Sequence, residues 1–178
     1  MQTTGFAILL AVLGATPAAA QRPQRAASAY TTLDLDRCTI LSRVEEGASV
    51  AWRCPGYGGV PLFVLSGDDR IDLDAGVDNG NWESPMEFSG PPTRVEWRLR
   101  GGRPFAIIYR LALSGEGRAV TSVLIVETVG RRGAPGCQIA EIDARVPGAN
   151  SAARRQADTR AARFRCGRDH VESEGPAR

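Results

Sequence analysis

The chain contains no lysine: all 22 of its basic residues are arginine. That absence fits a chain encoded in GC-rich codons and points to no function by itself. Histidine is almost as scarce, with His170 alone, lying beyond the last cysteine. A Ser-His-Asp or Cys-His centre needs an imidazole held within hydrogen-bond reach of its nucleophile, and one histidine in a terminal segment is poorly placed for that. No Cys-x-x-Cys, His-Glu-x-x-His or Walker-type spacing occurs, so neither zinc chemistry nor a phosphate-cradling loop is indicated. Net charge is also small, at +2, which does not favour nucleic acid as a partner. No apolar run approaches the ~20 residues that a membrane-spanning helix needs, so no transmembrane anchor is expected.

What is present begins with residues 6–15, an uncharged apolar run followed by Pro17 and by Ala18, Ala19 and Ala20. This is the small-x-small pattern of a signal peptide, and it predicts cleavage after Ala20 and a periplasmic or secreted product. Basic residues, usual before such a run, are missing from residues 1–5. No cysteine stands at the cleavage site to accept a lipid. The remainder fits one domain over residues 30–166, preceded by a disordered linker at 21–29 and followed by a disordered tail at 167–178.

Four cysteines in an exported chain predict two disulfides. Residues 38–44 and 48–54 are β-prone runs flanking Glu45, Glu46 and Gly47, and they read as an antiparallel hairpin. Centring the turn there sets Cys38 against Cys54, Ile40 against Trp52 and Ser42 against Val50. Opposed residues lie ~4.5–5.5 Å apart at Cα, within disulfide reach. Cys38 is therefore expected to pair with Cys54, and Cys137 with Cys166.

Further strands are expected at 60–65, 70–75, 93–100, 105–113, 118–129 and 137–145, with residues 79–92 as a long loop. In 93–100, Val95, Trp97 and Leu99 alternate with Arg94, Glu96, Arg98 and Arg100, which predicts one buried face and one face in water. A turn centred on Gly102 sets Trp97 against Ile107 and Val95 against Tyr109. Residues 137–145 alternate imperfectly, because Ile139 and Ile142 are three apart. One helix is expected at 151–164, with Asn150 as its N-cap and Ala153, Ala157, Ala161 and Phe164 as its apolar stripe. The fold class is α+β: a mainly antiparallel sheet domain with one C-terminal helix.

Two charged segments stand out. Asp72, Asp74, Asp78 and Glu83 fall at positions 1, 3, 7 and 12 of a calcium-loop spacing, but Val77 replaces the turn glycine and no helix flanks them. A solvated acidic strand end is the plainer reading, and no cofactor is expected. The second segment, residues 145–168, holds seven arginines against Asp158. Arg154, Arg155, Arg160 and Arg163 are the candidate contacts for an anionic envelope component or a protein partner. They also fit the solvated face of an alanine-rich helix. Tyr57 and Trp82, in glycine- and asparagine-rich loops, fit either contact residues or caps on the core.

Taken together, the run Tyr30 to Cys38, the string Trp52-Arg-Cys54-Pro-Gly-Tyr57, the segment Glu96 to Ala106, and the Ala144-Arg145 lead into the helix and Cys166 resemble a group of small exported proteobacterial proteins without assigned activity. The resemblance spans about residues 30–166 and implies a periplasmic address. Composition and resemblance together point to a non-enzymatic binding protein of the envelope. A small hydrolase using paired carboxylates and a calcium-stabilised binding module are the competing readings.

Overall fold

The computed structural model describes residues 25–45, 48–115 and 120–175, so the signal-peptide reading for residues 1–20 lies outside the described residues. In chain order the elements are β1 (Ala27–Thr32), β2 (Thr39–Val44), β3 (Ser49–Cys54), β4 (Leu62–Gly67), β5 (Arg70–Ala75), β6 (Phe88–Ser89), β7 (Arg94–Arg100), β8 (Arg103–Ser114), β9 (Thr121–Thr128), β10 (Gln138–Asp143), α1 (Ala149–Arg160) and β11 (Glu172–Glu174). β2 to β5 form a four-stranded sheet in sequence order. The other sheet runs β1-β7-β8-β9-β10-β11, with β6 paired to the far end of β8. All neighbours are antiparallel except β10 and β11, which are parallel.

Three layers result. Alternation along β7, β8 and β9 sends Val95, Trp97, Ile107, Leu111 and Ile125 to one face, where they meet Leu62, Val64, Ile71 and Leu73 of the smaller sheet. The opposite face of the larger sheet, with Ala106, Ile108, Leu124 and Val126, packs against Ala149, Ala152, Ala153 and Ala157 of α1. Small side chains on the helix let it lie close to the sheet. Trp97 is fully buried, and its indole N–H donates to Thr31 Oγ1 at 2.8 Å, so burial of this large ring leaves no polar atom unsatisfied.

The expected register of β7 and β8 holds, with Trp97 opposite Ile107 and Val95 opposite Tyr109. Gly101 and Gly102, both at positive φ, make the two-residue turn between them. Both disulfides form, Cys38 with Cys54 and Cys137 with Cys166. In the β2–β3 hairpin Ile40 faces Trp52 as expected, but a bulge at Leu41 shifts Ser42 from Val50 to Ala51. A second bulge, between Gln138 and Ala140, accounts for the broken alternation of β10 and lets Ile139 join Ile142 against the helix.

Other expectations need correction. The helix begins two residues earlier than its apolar pattern suggests, at Ala149, behind Gly148 in the left-handed region, so Asn150 is a helical residue and not the cap. It ends at Arg160, although Ala161 and Phe164 still pack on the core. Both segments expected to be disordered take part in a strand: β1 opens at Ala27, inside the expected linker, and pairs along β7, and β11 lies within the expected tail and pairs with β10. Both are polar edge strands, carried by backbone hydrogen bonds with little apolar alternation for sequence to reveal.

The turn joining β4 to β5 is Asp68–Asp69, with both residues at positive φ, where glycine is favoured in the second position. Asp69→Gly is expected to stabilise the fold by about 0.5–1 kcal/mol, read as a higher urea midpoint with unchanged slope.

Candidate functional site: an arginine-rimmed cleft between helix and sheet

The charged face of β7, expected to meet water, is covered by α1 over Glu96 and Arg98, which are 8% and 5% exposed. Arg154 and Asp158, one helical turn apart, reach down onto these two residues. Arg98 holds Asp158 through two parallel bonds, Nε to Oδ1 at 2.9 Å and Nη2 to Oδ2 at 2.7 Å. Arg154 holds Glu96 in the same bidentate manner, at 2.7 and 3.0 Å, and its Nη2 also donates to the Tyr30 hydroxyl at 3.0 Å. Arg98 Nη1 lies 3.5 Å from Glu96 Oε1, and Ser28 bonds to both residues. Burial would raise the Glu96 carboxyl, but the bonds from Arg154 and Ser28 and the charges of Arg154 and Arg98 outweigh it and hold Glu96 below the usual carboxylate range. Two acids and two bases balance, so this network is electrically closed.

Beside it, toward the N-terminus of α1, lies a cleft of about 540 Å³. Its floor is Ile108, Leu124 and Ala112, its outer wall is the Pro91–Pro92 loop, and Tyr30, Arg94, Arg110 and Arg154 stand around its rim. Arg94 stacks its guanidinium 4.0 Å from the centre of the Tyr30 ring, and Arg110 donates to the Ser122 hydroxyl at 3.0 Å. Neither contact neutralises a charge. The cleft thus joins an apolar floor to a rim of planar, permanently charged donors suited to a phosphate or carboxylate group.

The four arginines singled out from sequence do not share one face. Arg154 belongs to the closed network and to the cleft wall. Arg160 turns back to the fold, donating to the carbonyls of Ile139 at 2.9 Å and His170 at 2.6 Å and lying over Phe164. Arg155 and Arg163 are exposed. Sequence reasoning missed Arg94 and Arg110, which lie on strands and carry no motif. The signal available was the polar face of β7, whose Arg-x-Glu-x-Arg spacing matches the one-turn spacing of Arg154 and Asp158.

The acidic segment is built into a strap. Asp72 Oδ1 accepts the backbone N–H groups of Glu83 at 3.1 Å and Ser84 at 2.8 Å, and Asp74 Oδ2 accepts that of Asn79 at 3.0 Å. Asp78 accepts from Gly80, and Glu83 accepts the backbone N–H of Gln138. Among the described residues no group of three or more histidine, cysteine, aspartate or glutamate side chains is arranged to hold a metal ion. Burial raises the carboxyls of Asp72 and Glu83, opposed by these amide bonds, and pushes Asp74 up to about 7. Asp72, Asp74 and Asp78 do line a cavity of about 220 Å³ beside Trp52 and Phe63. Asp72 and Asp74, however, direct oxygens at the strap's amides, in the role of holding a loop.

Tyr57 packs on the core, its ring centre 6.3 Å from that of Trp97, whereas Trp82 is partly exposed beneath the guanidinium of Arg70. His170 is exposed near β11, and every described cysteine is in a disulfide. Among the described residues no helix is long and apolar enough to cross a membrane. No protein-family model matches the chain, and no curated protein or solved structure is significantly similar to it.

Proposed function

We propose that this is an exported, non-enzymatic binding protein of the bacterial envelope, and that its ligand is an anionic amphiphile held in the cleft between α1 and the larger sheet. The observation that carries this reading is the pairing of an apolar floor, Ile108 and Leu124, with the arginine rim of Arg94 and Arg110. A volume of about 540 Å³ lies in the range, roughly 300–1,000 Å³, of clefts that take small ligands. The rim supplies charge and bidentate geometry, and the floor supplies apolar area. The closed Glu96–Arg98–Arg154–Asp158 network fixes the wall of the cleft, so little ordering is required when a ligand enters. Two disulfides and the signal-like residues 1–20 support an address outside the cytoplasm.

Isothermal titration of the disulfide-bonded protein with dodecyl phosphate, and in parallel with uncharged dodecyl maltoside, both below micelle formation, tests the proposal. The phosphate amphiphile is expected to bind and the maltoside not. Replacing Arg94 and Arg110 by Gln removes two charge-assisted contacts worth ~1.5–3 kcal/mol each, so affinity should fall at least tenfold. Equal binding of both amphiphiles, or equal binding by protein and variant, would sink the reading.

A further inference from the structure

Where the end of β5 meets the end of β9, two carboxyls are buried side by side. Asp74 is 5% exposed and Glu127 is 3% exposed. The two carboxyls act directly on each other, and Asp74 Oδ1 and Glu127 Oε1 are both buried without a donor as a partner. An ionised carboxylate only accepts, so two such carboxyls can satisfy each other only when one of them carries a proton. Gln138, opposite Glu127 on the ladder and 7% exposed, leaves its own Oε1 without a donor as well. The site is thus rich in buried acceptors and short of protons.

We infer that Asp74 and Glu127 share a proton at neutral pH, and that this proton latches the strap of residues 76–84 over the outer face of the smaller sheet. Asp74 couples the pair to the strap because its second oxygen accepts from the Asn79 amide. One residue beyond β5 the strap is rooted: Gly76 donates to the Pro61 carbonyl at 2.8 Å, and its Cα passes so close to Gly130 that a β-carbon would stand 2.3 Å from the Gly130 oxygen. The strap therefore opens from its middle, where Asp74, Asp72 and Glu83 hold it. Losing the shared proton sets two carboxylates against each other in a dry site, and the relief available is for Asp74 to swing outward and release Asn79.

The groups facing the pair do not supply a compensating cation. Asp72 approaches from β5 and Asp78 and Glu83 from the strap, and each of these acids opposes ionisation of the pair; Tyr109 on β8 brings a buried, neutral phenol whose own ionisation burial and the same acids push up. Phe63 stands opposite Asp74 on β4, and Arg53, its register mate on β3, is exposed two strands away. Burial, followed by these acids, raises Glu127 well above the ordinary range and sets Asp74 near 7. A carboxyl whose folded value is raised stabilises fully below its unfolded value, about 4, and the contribution is lost as pH rises toward the folded value. For Asp74 the window runs from about 4 to about 7, and for Glu127, which keeps the shared proton longest, it continues above that, so stability falls across neutrality.

Melting temperatures of the disulfide-bonded protein between pH 4.5 and 8.5, with and without calcium, test this, alongside hydrogen exchange at Asn79, Glu83 and Ser84. The melting temperature should fall by several degrees as pH rises through neutrality, with exchange at these amides rising beyond the intrinsic pH effect. Glu127→Gln, whose amide can donate to an ionised Asp74 without a proton to lose, should reduce the slope by more than half and keep the strap protected at pH 8. Should Glu127→Gln fail to fold, Asp74→Asn carries the same expectation. A wild-type melting temperature flat across this range, a variant with the wild-type slope, or a calcium-induced rise that removes the slope would each overturn the shared proton.

Discussion

Arg98→Ala is expected to cost about 3–5 kcal/mol, because it strands charges that the fold has buried around it. The guanidinium of Arg98 spans Asp158, Glu96 and Ser28, and its side chain is almost entirely enclosed between α1 and the larger sheet. Removing it leaves Asp158 without its bidentate partner and Glu96 with one guanidinium, that of Arg154, and the Ser28 hydroxyl. Loss of a partner from such a site costs more than the pair itself contributes. The double variant Arg98→Met with Asp158→Leu should therefore be less destabilised than the two single losses add up to, with a coupling of at least about 1 kcal/mol. Urea denaturation of wild type, Arg98→Met, Asp158→Leu and the double variant, with Arg98→Ala beside them, measures this, and a loss below about 1 kcal/mol for Arg98→Ala would contradict the picture of a closed network.

A second large effect is expected at Cys166. Its disulfide to Cys137 closes a loop of 29 residues that contains the whole of α1, and in the chain-entropy picture this contributes about 3–4 kcal/mol. The helix has no side-chain N-cap and buries mainly alanine, so it draws little stability from itself. Cys166→Ser should lower global stability by that amount and reduce hydrogen-exchange protection across Ala152 to Arg160. Cys38→Ser breaks a loop of 16 residues in the β2–β3 hairpin and should leave α1 protected despite a loss of about 3 kcal/mol. Full protection of α1 in Cys166→Ser would show that the sheet contacts and Arg160 hold the helix unaided.

Much of the fold was legible because its signals are local. The alternation of Val95, Trp97 and Leu99 against Ile107 and Tyr109 set the β7–β8 register, and the spacing of Cys38 and Cys54 about a hairpin turn set one disulfide and thereby the other. What sequence missed depends on partners far away in the chain. Glu96 and Arg98 look like a wet face until Arg154 and Asp158 arrive from a helix some sixty residues later. Glu127 is a lone carboxyl inside a β-branched run, and that mismatch was the only sign that something protonated or paired lay there; Asp74, its partner, is over fifty residues earlier. The bulge at Leu41 and the polar edge strands β1 and β11 leave no mark in hydrophobic periodicity, because backbone geometry and not side-chain burial carries them.

The basic residues show why a charge count is a weak guide to a site. Arg154 and Arg160 looked like a binding face and instead hold the helix to its sheet, whereas Arg94 and Arg110, scattered along strands, converge on the cleft. A guanidinium already in a bidentate ion pair has little left to offer a ligand, and one that merely stacks on a ring or meets a hydroxyl keeps its charge available.

Mapping amide chemical shifts of the disulfide-bonded protein on adding dodecyl phosphate would show whether an anion sits in that cleft. Perturbations are expected to be confined to Thr93 and Arg94, Arg110, Leu124 and the first turn of α1 from Asn150 to Arg154. Perturbations centred instead on Arg155 and Arg163, or none at saturating amphiphile, would contradict it.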